Sequence, residues 1–260
     1  MKVSIITPTF NSDETIEYTI KSILSQSYKN IEHIIIDKES SDKTLSIISK
    51  YKKEYNGRLI VVSEKDDGLF DAMNKGIKMA SGEIIGILNS DDVLSGPNII
   101  KTIVDTFKAD KSDIVFGDLL YIEKNLQMRN RVWKSKIGNI KKGWIPPHPT
   151  LYLKPKVYKK IGYFNLKYRR TSDLDLMIRI FSKKTFKSSY IPKVLVLMRV
   201  GGESSDGIKG YYENFKESYR IYRDNGFKFS LIISVGRIIK TIFQMFKAKI
   251  LNIKNKGISN

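Results

Sequence analysis

The chain has 260 residues, 41% of them apolar, and it contains no cysteine. This length fits one large domain, or one domain with an appendage, and the apolar fraction is sufficient for a buried core. Without cysteine, disulfides and cysteine-based zinc sites are excluded. The formal net charge of +19 predicts an anionic partner, but composition alone does not choose among nucleic acid, an anionic membrane and a phosphorylated substrate.

Strands and helices are predicted to alternate over the first half of the chain. The N-terminus enters a strand directly, without the charged start and long apolar core of a signal peptide. Four apolar runs predict buried strands, at Lys2–Thr7, Ile31–Ile36, Arg58–Val62 and Glu83–Leu88. Each is followed by a helical pattern. The first helix begins at Asp13, with Asn11 or Ser12 as its cap, and the other three begin at Ser41 and Asp42, at Phe70, and at Gly96. The alternation predicts a mostly parallel, doubly wound α/β sheet flanked by helices.

Acidic residues follow three of these strands. Asp37 ends the second, Asp66 follows the third, and Asp91 and Asp92 follow the fourth. In a parallel sheet these positions converge on the edge where ligands bind. Adjacent carboxylates at the end of a buried strand are poorly solvated and repel each other, so the pair predicts a divalent cation, Mg²⁺ or Mn²⁺. The alternative is that Asp91 and Asp92 only cap the next helix.

The pattern changes after Asp113. Two shorter, partly exposed strands of antiparallel type are predicted at Ile114–Glu123 and Arg129–Lys134, and a last strand at Val194–Val200. Three prolines predict an ordered loop around His148, since proline removes backbone donors. Helices are predicted at Lys156–Ile161 and at Thr171–Phe181. The second is capped by Thr171 or Ser172 and carries Asp173 in its first turn, where a carboxylate is stabilised.

From Gly207 onward the chain is basic, with eleven Lys and Arg against three Asp and Glu. Helices are predicted at Tyr211–Arg223 and Phe229–Ile253. One face of the second is apolar, comprising Leu231, Ile232, Val235, Ile238, Ile239, Ile242, Phe243 and Phe246. The other face carries Arg237, Lys240, Thr241, Gln244 and Lys247. Charges inside the segment disfavour a spanning helix. The pattern favours a helix lying in a membrane interface, with packing on the protein's own core as the alternative. The chain is therefore divided into regions 1–206 and 207–260.

Several stretches, in this order, resemble family 2 glycosyltransferases of the GT-A fold, and most closely the bacterial enzymes that build capsule, O-antigen or exopolysaccharide. They cover Val3 to Arg179, about two-thirds of the chain. The stretches are VSIITPTFN, IIIDKESSDKT, SEKDDGLFDAMNKGIKMASGEIIGILNSDD, PPHPTLYL and GYFNLKYRRTSDLDLMIR.

The resemblance implies inverting transfer from a nucleotide-sugar, usually a UDP-sugar, with Mn²⁺ or Mg²⁺ as cofactor. The donor would be contacted by Thr7, Pro8, Asp37, Asp66, Asn89 and Asp91. Asp91 and Asp92 would hold the metal, and Asp173 would be the general base, because inversion needs one in-line attack and one base. His148 is a candidate acceptor or loop contact. Asp175 is a rival base, but it lies two residues further along the helix and points elsewhere.

The chain departs from the family at three positions. Asn89 stands where the metal motif often begins with Asp, Lys38 where many members have an acid, and Ser172 where Glu is usual. Lys38 weakens the expectation of a uracil contact. A lipid-linked saccharide acceptor would explain both the active site and the basic C-terminal region. The helix predicted at Phe229–Ile253 is then expected to dock on the cytoplasmic face of the bacterial inner membrane, as in a peripheral protein.

Two other functions compete with glycosyl transfer. A second nucleotide-dependent enzyme, such as a sugar nucleotidyltransferase, could use a similar sheet. However, the sequence TPTFNSDET after the first strand contains neither a GxGxxG fingerprint nor a P-loop. A nucleic-acid-binding protein is suggested only by charge and has no matching motif, so no nucleic-acid partner is expected.

Overall fold

The computed structural model describes residues 1–122, 129–183, 185–200 and 207–239. Nine strands in this part of the chain form one sheet: β1 Val3–Thr9, β2 Ile31–Asp37, β3 Leu59–Ser63, β4 Ile84–Ile87, β5 Val93–Leu94, β6 Ile114–Ile122, β7 Arg129–Trp133, β8 Tyr152–Leu153 and β9 Ser188–Arg199. The helices are α1 Ile16–Leu24, α2 Thr44–Tyr51, α3 Leu69–Met79, α4 Ile99–Asp110, α5 Pro155–Ile161, α6 Ser172–Ser182, α7 Gly207–Asp224, and α8 at residues 230–239.

The strand order across the sheet is β3-β2-β1-β4-β8-β6-β9-β5, with β7 paired to β6. Strands β1 to β4 are parallel. The short β8 is antiparallel to both β4 and β6, so β4 and β6 run in the same direction. Because β9 is parallel to β6, six strands end at the same edge of the sheet. This arrangement confirms the mostly parallel α/β fold predicted from the sequence.

Helices cover both faces of the sheet, because its strands are apolar on both sides. On one face α1, α2 and α4 pack against residues such as Ile5, Ile35 and Val115. On the other face α3, α5, α6 and α7 pack against residues such as Ile34 and Phe116. This is the doubly wound arrangement expected for buried parallel strands.

Two strands of the second half differ from the prediction. β6 is nine residues long and almost wholly buried, not short and partly exposed, because it lies between β8 and β9 inside the sheet. β9 begins at Ser188, six residues before the predicted start. Its register against β6 jumps from Ile191 to Val194. Pro192 and Lys193 therefore lie in a bulge, which is how a strand accommodates a proline.

The predicted N-terminal caps also differ in part. Helix α1 begins at Ile16, without a side-chain cap, and Asn11 instead accepts a hydrogen bond from the Ser41 backbone N–H at 2.9 Å. Helix α4 begins at Ile99 and not at Gly96. Helix α2 begins at Thr44, two residues after the predicted start at Asp42, and the Asp42 carboxylate accepts the Thr44 N–H at 2.9 Å.

The start of α6 likewise lacks the predicted side-chain cap. The Thr171 hydroxyl donates to Glu217 at 2.7 Å, and the Ser172 hydroxyl donates to the Asn165 carbonyl at 2.9 Å. Both hydroxyls therefore tie the helix start to other segments and do not cap its own backbone.

The C-terminal helices pack on the α6 side of the sheet. Ile221 and Tyr222 of α7 are fully buried in the same core as α6. On α8, Ser230 and Ser234 face inward, and the Arg237 guanidinium donates to the Tyr222 hydroxyl at 3.0 Å. The division into regions 1–206 and 207–260 remains a proposal, but α7 shares a core with the first region.

The predicted apolar stripe of α8 is exposed to solvent. Its described members are 37–68% exposed, namely Leu231, Ile232, Val235, Ile238 and Ile239. The stripe therefore does not pack on the protein's own core over residues 230–239. The rest of the predicted helix, 240–253, lies outside the described residues. Within the described part of the chain, no helix is long and apolar enough to span a membrane.

Candidate active site

The loop after β4 is held in place by α1. The Thr19 hydroxyl lies 2.7 Å from the Asp92 carbonyl oxygen and 3.0 Å from that of Ser90. The Ser12 and Ser90 hydroxyls are hydrogen-bonded at 2.9 Å. Loop residues 89–92 therefore have a defined conformation at the edge where the parallel strands end.

Asp91 and Asp92 are adjacent carboxylates in this loop, and both are poorly solvated. Asp92 is fully buried, and the Asn89 side-chain amide donates to its Oδ2 at 3.1 Å. Burial raises the pKa of Asp92 well above its ordinary value, and the neighbouring charge of Asp91 raises it further. Burial also raises the pKa of Asp91, whereas the positive charge of Arg199 opposes that rise. The pair would be most stable as anions with a cation beside it.

The oxygens of this loop fit a divalent cation. Within residues 1–122 and the other described ranges, Asn89 Oδ1 and Asp92 Oδ1 are buried without a hydrogen-bond partner. Buried oxygens of this kind require an explanation, and a hard cation is one. No group of three or more His, Asp or Glu that could hold a metal occurs in the same ranges. Two carboxylates and one amide oxygen are hard ligands of the kind that Mg²⁺ and Mn²⁺ accept together with waters and substrate phosphates.

Arg199, near the end of β9, lies beside this pair. Its Nε donates to the Asp91 carbonyl oxygen at 3.1 Å, and its guanidinium carbon lies 4.8 Å from the centre of the Tyr18 ring. The residue is only 6% exposed. A buried guanidinium places a permanent positive charge next to the two acids.

The predicted nucleoside contacts lie at the ends of β2 and β3. Asp37 is fully buried, and its two oxygens accept hydrogen bonds from Ser40 and from the Ser63 hydroxyl. Asp66 forms an ion pair with Lys38 at 3.1 Å and accepts the Gly68 N–H at 2.8 Å. A carboxylate has about four lone-pair sites, so Asp37 and Asp66 retain capacity for a ligand. Their contact with the donor stays a prediction.

Thr7 and Pro8 lie inside β1, and neither is exposed. Thr7 Oγ1 is hydrogen-bonded to His33 Nε2 at 2.9 Å, so its hydroxyl is engaged in the interior and not at the strand ends. Thr9, which the sequence analysis did not select, ends the same strand. Its buried hydroxyl has no hydrogen-bond partner among the described residues. The donor role of Thr7 and Pro8 remains a prediction, and Thr9 is the better placed hydroxyl.

Tyr121, on β6, lies within electrostatic range of both Asp92 and Asp173. Burial raises the pKa of the Tyr121 hydroxyl, and the charges of Asp92 and Asp173 both contribute to that rise. Burial lowers the pKa of His148, and the charge of the Asp173 carboxylate opposes that change. The His148 ring packs edge-on against Phe164, with centroids 5.5 Å apart. The charge of Asp173 therefore acts on both Tyr121 and His148, which are distant from it in sequence.

Asp175, the rival candidate base, has a structural role. It is buried, its Oδ2 forms an ion pair with Arg179 Nε at 2.8 Å, and its Oδ1 accepts a hydrogen bond from Asn225 at 3.1 Å. With both oxygens occupied, Asp175 is turned away from the open edge. Of the two acids in SDLDL, Asp173 is therefore the one available for catalysis.

Tyr121 was not found by sequence analysis, because a tyrosine inside an apolar strand has no local signal. Its ring also lies 4.1 Å from the Arg131 guanidinium carbon. Only the pairing of β6 with β7 reveals this contact.

Curated proteins of similar sequence are glycosyltransferases by name. The chain is 28% identical over 212 residues to the PGL/p-HBAD biosynthesis glycosyltransferase of Mycobacterium tuberculosis, covering 79% of each chain. It is 31% identical over 214 residues to EpsE of Bacillus subtilis, covering 80% of this chain and 75% of that protein.

Solved structures share the fold at lower identity. S. aureus TarS 1–349 in complex with UDP superposes with a TM-score of 0.68 and 20% identity, over 90% of this chain and 68% of that one. The chain spans 41% of the longer TarS structure. The mannosyltransferase PcManGT from Pyrobaculum calidifontis, in complex with GDP-Man and Mn²⁺, superposes with a TM-score of 0.64 and 16% identity. The match covers 99% of this chain and 80% of that one.

The sequence pattern described as glycosyl transferase family 2 matches residues 4–188, which contain strands β2 to β8, the loop of Asp91 and Asp92, and Asp173. The chain belongs to this family of glycosyltransferases and has its GT-A fold.

Proposed function

We propose that this enzyme transfers a sugar, with inversion, from a nucleotide-sugar to a hydroxyl of a lipid-linked saccharide acceptor in surface polysaccharide synthesis. The observation that carries the proposal is the pair of buried oxygens of Asn89 and Asp92 in the loop after β4, which have no hydrogen-bond partner among the described residues. Asp92 and Asp173 have different environments, because Asp92 is fully buried and Asp173 is partly exposed. Such a difference allows one site to hold a cation and the other to accept a proton.

The donor diphosphate would bind beside Asp91 and Asp92. Mn²⁺ or Mg²⁺ held there by Asp92, Asp91 and the side-chain oxygen Oδ1 of Asn89 would neutralise the charge that develops on the leaving diphosphate. The chain contributes Arg199 as a further positive charge fixed to the Asp91 carbonyl. A preorganised charge of this kind costs no reorganisation during the reaction.

Asp173 would accept the proton of the acceptor hydroxyl. In one in-line displacement, the acceptor oxygen forms a bond to the anomeric carbon as the bond from that carbon to the diphosphate breaks, and the configuration inverts. A single base is sufficient for this step. The charge of Asp173 acts on His148 and Tyr121, so both are candidates to contact the acceptor.

A UDP-sugar is the first candidate donor. Its support is that TarS structures are titled as complexes with UDP and UDP-GlcNAc, whereas PcManGT is titled as a complex with GDP-Man. In this chain Lys38 pairs with Asp66 and lies 6.0 Å from the centre of the Phe10 ring. A nucleobase that stacks on the half-exposed Phe10 would lie close to Lys38, so both uridine and guanosine donors must be tested.

The exposed face of α8 is proposed to dock on an anionic membrane, the cytoplasmic face of the bacterial inner membrane. Two features support this occupant. The face is apolar, with Ile232 and Ile239 at least 60% exposed. The region from 207 is rich in Lys and Arg, and each such residue near an anionic surface adds about 1 kcal/mol. Apolar burial and charge together bring the site to a lipid-linked acceptor.

A panel of UDP-, GDP- and dTDP-sugars, each with Mn²⁺ or with EDTA, tests the reaction. We expect Mn²⁺-dependent release of free nucleoside diphosphate from one donor class. Release of pyrophosphate would indicate a nucleotidyltransferase, and release that does not depend on a divalent ion would contradict the metal assignment.

Vesicle co-sedimentation tests the membrane proposal, with Val235→Asp compared with Val61→Asp. The two valines are equally exposed, at 40% and 39%, but only Val235 lies on α8. Losing an apolar contact worth about 1.4 kcal/mol weakens binding about tenfold. We expect that loss with phosphatidylglycerol vesicles for Val235→Asp only. Equal binding by both variants would contradict the α8 assignment.

A further inference from the structure

Glu217, on α7, binds the backbone immediately before α6. Its carboxylate accepts the N–H groups of three consecutive residues, at 2.8 Å from Arg169, 3.0 Å from Arg170 and 2.7 Å from Thr171. It also accepts the Thr171 hydroxyl at 2.7 Å. Four donors therefore converge on one side chain that lies 46 residues away from Thr171 in sequence.

This arrangement determines where α6 begins. Three successive N–H groups form a concave site for an anion, and charge-assisted hydrogen bonds to a carboxylate are about twice as strong as neutral ones. Helix α6 has no cap from its own Thr171 side chain. Asp173 lies two residues after Thr171, so the backbone that Glu217 holds is the backbone that carries the candidate base.

Further contacts from α7 and its C-terminal end hold the same segment. Asn214 accepts a hydrogen bond from Arg170 Nε at 2.9 Å. Asp224 accepts from Lys167 at 2.7 Å and from the Tyr168 hydroxyl at 2.8 Å. These contacts lie on either side of Glu217 and act on residues 167–171. Helix α7 thus contacts residues 167–171, the segment that leads into α6.

We propose that Glu217 is a positioning residue for the general base Asp173, a role that rests on the proposed function. It acts through the backbone of residues 169–171 and does not touch the reacting atoms. The C-terminal helix α7 lies beyond the part of the chain that matches the family pattern, residues 4–188. The catalytic base therefore depends on a segment outside the matched domain.

The test uses Glu217→Gln in the full chain, with Glu213→Gln as a matched control one turn away on the same helix. UDP binding with Mn²⁺ is measured by calorimetry, and kcat and KM are measured for the donor that is most active in the panel. For Glu217→Gln we expect unchanged UDP affinity and donor KM, and a kcat lowered about 10–100-fold, the scale of a displacement of about 1 Å at a reacting group. Glu213→Gln should behave as wild type.

A double-mutant cycle with Asp173→Asn distinguishes positioning from general destabilisation. If Glu217 acts through Asp173, adding Glu217→Gln to Asp173→Asn lowers kcat less than about twofold. Amide hydrogen exchange provides a readout without activity, because residues 169–171 should exchange faster in Glu217→Gln than in Glu213→Gln. An unchanged kcat, a parallel loss of UDP binding, or the same fold-loss in both backgrounds would overturn the inference. An Asp173→Asn variant with full activity would instead overturn the base assignment itself.

Discussion

Asp92→Asn is expected to stabilise the metal-free protein and to remove its stabilisation by UDP with Mn²⁺. The Asp92 carboxylate is fully buried, and its pKa is raised by burial and by Asp91. A group whose folded pKa lies above its unfolded value contributes stability at low pH, which is lost as pH rises through the folded pKa. At neutral pH the charged form of Asp92 therefore destabilises the fold, and a neutral isostere relieves that cost.

The expected size follows from two scales. Each unit by which a folded pKa exceeds the unfolded one corresponds to about 1.4 kcal/mol, which is roughly 3–6 °C in Tm for a chain of this size. UDP with Mn²⁺ at about 100 times Kd stabilises the native state by about 2.7 kcal/mol, or roughly 5–10 °C. The variant should therefore gain stability without metal, and it should lose the ligand stabilisation of about 2.7 kcal/mol.

Differential scanning fluorimetry with EDTA, and then with Mn²⁺ and UDP, measures both effects. Asp118→Asn is the control, because Asp118 is also buried, at 6% exposure, and accepts from the Ser135 N–H at 2.7 Å and the Tyr190 hydroxyl at 2.8 Å. The control should lower Tm, since it weakens hydrogen bonds to a charged acceptor, and should retain the ligand shift. A lower metal-free Tm for Asp92→Asn, or a full shift with UDP and Mn²⁺, would refute the reasoning.

Asp173→Asn should retain UDP affinity, measured by calorimetry, and lower kcat by about 10²–10⁴-fold, as expected for removal of a positioned base. Asp175→Asn should chiefly lower Tm, measured by scanning fluorimetry. A loss of donor affinity in Asp173→Asn would indicate a structural role. His33 is buried, and burial lowers its pKa to about 3, so the stability that it contributes is present above its ordinary pKa of 6.5 and is lost as pH falls toward 3. In urea unfolding, the wild type should lose about 2 kcal/mol more stability than His33→Gln between pH 7.5 and pH 5.0, since groups such as Asp92 act equally in both proteins. An unchanged pH dependence in that variant would exclude His33 as its source.

The sequence by itself determined the sheet edge and the acids that lie on it. The strands before Asp37, Asp66 and Asp91 are apolar runs whose length and spacing are local properties, and parallel alternation then requires their carboxyl ends to meet. The placement of Asp173 in the first turn of α6 was also local, and so was the apolar stripe of α8. For these features the chain needs no information from distant residues.

Tertiary structure alone decided which partners these groups have. Arg199 bonds to the Asp91 carbonyl across 108 residues of sequence, and Glu217 binds the backbone before α6 across 46. β6 is buried because β8 and β9 pair on either side of it, which no periodicity within β6 indicates. The outward direction of the α8 stripe is decided by the inward packing of Ser230 and Ser234. Such contacts depend on how elements approach one another in space, and hydrophobic pattern and helix propensity report only which face of each element can be buried.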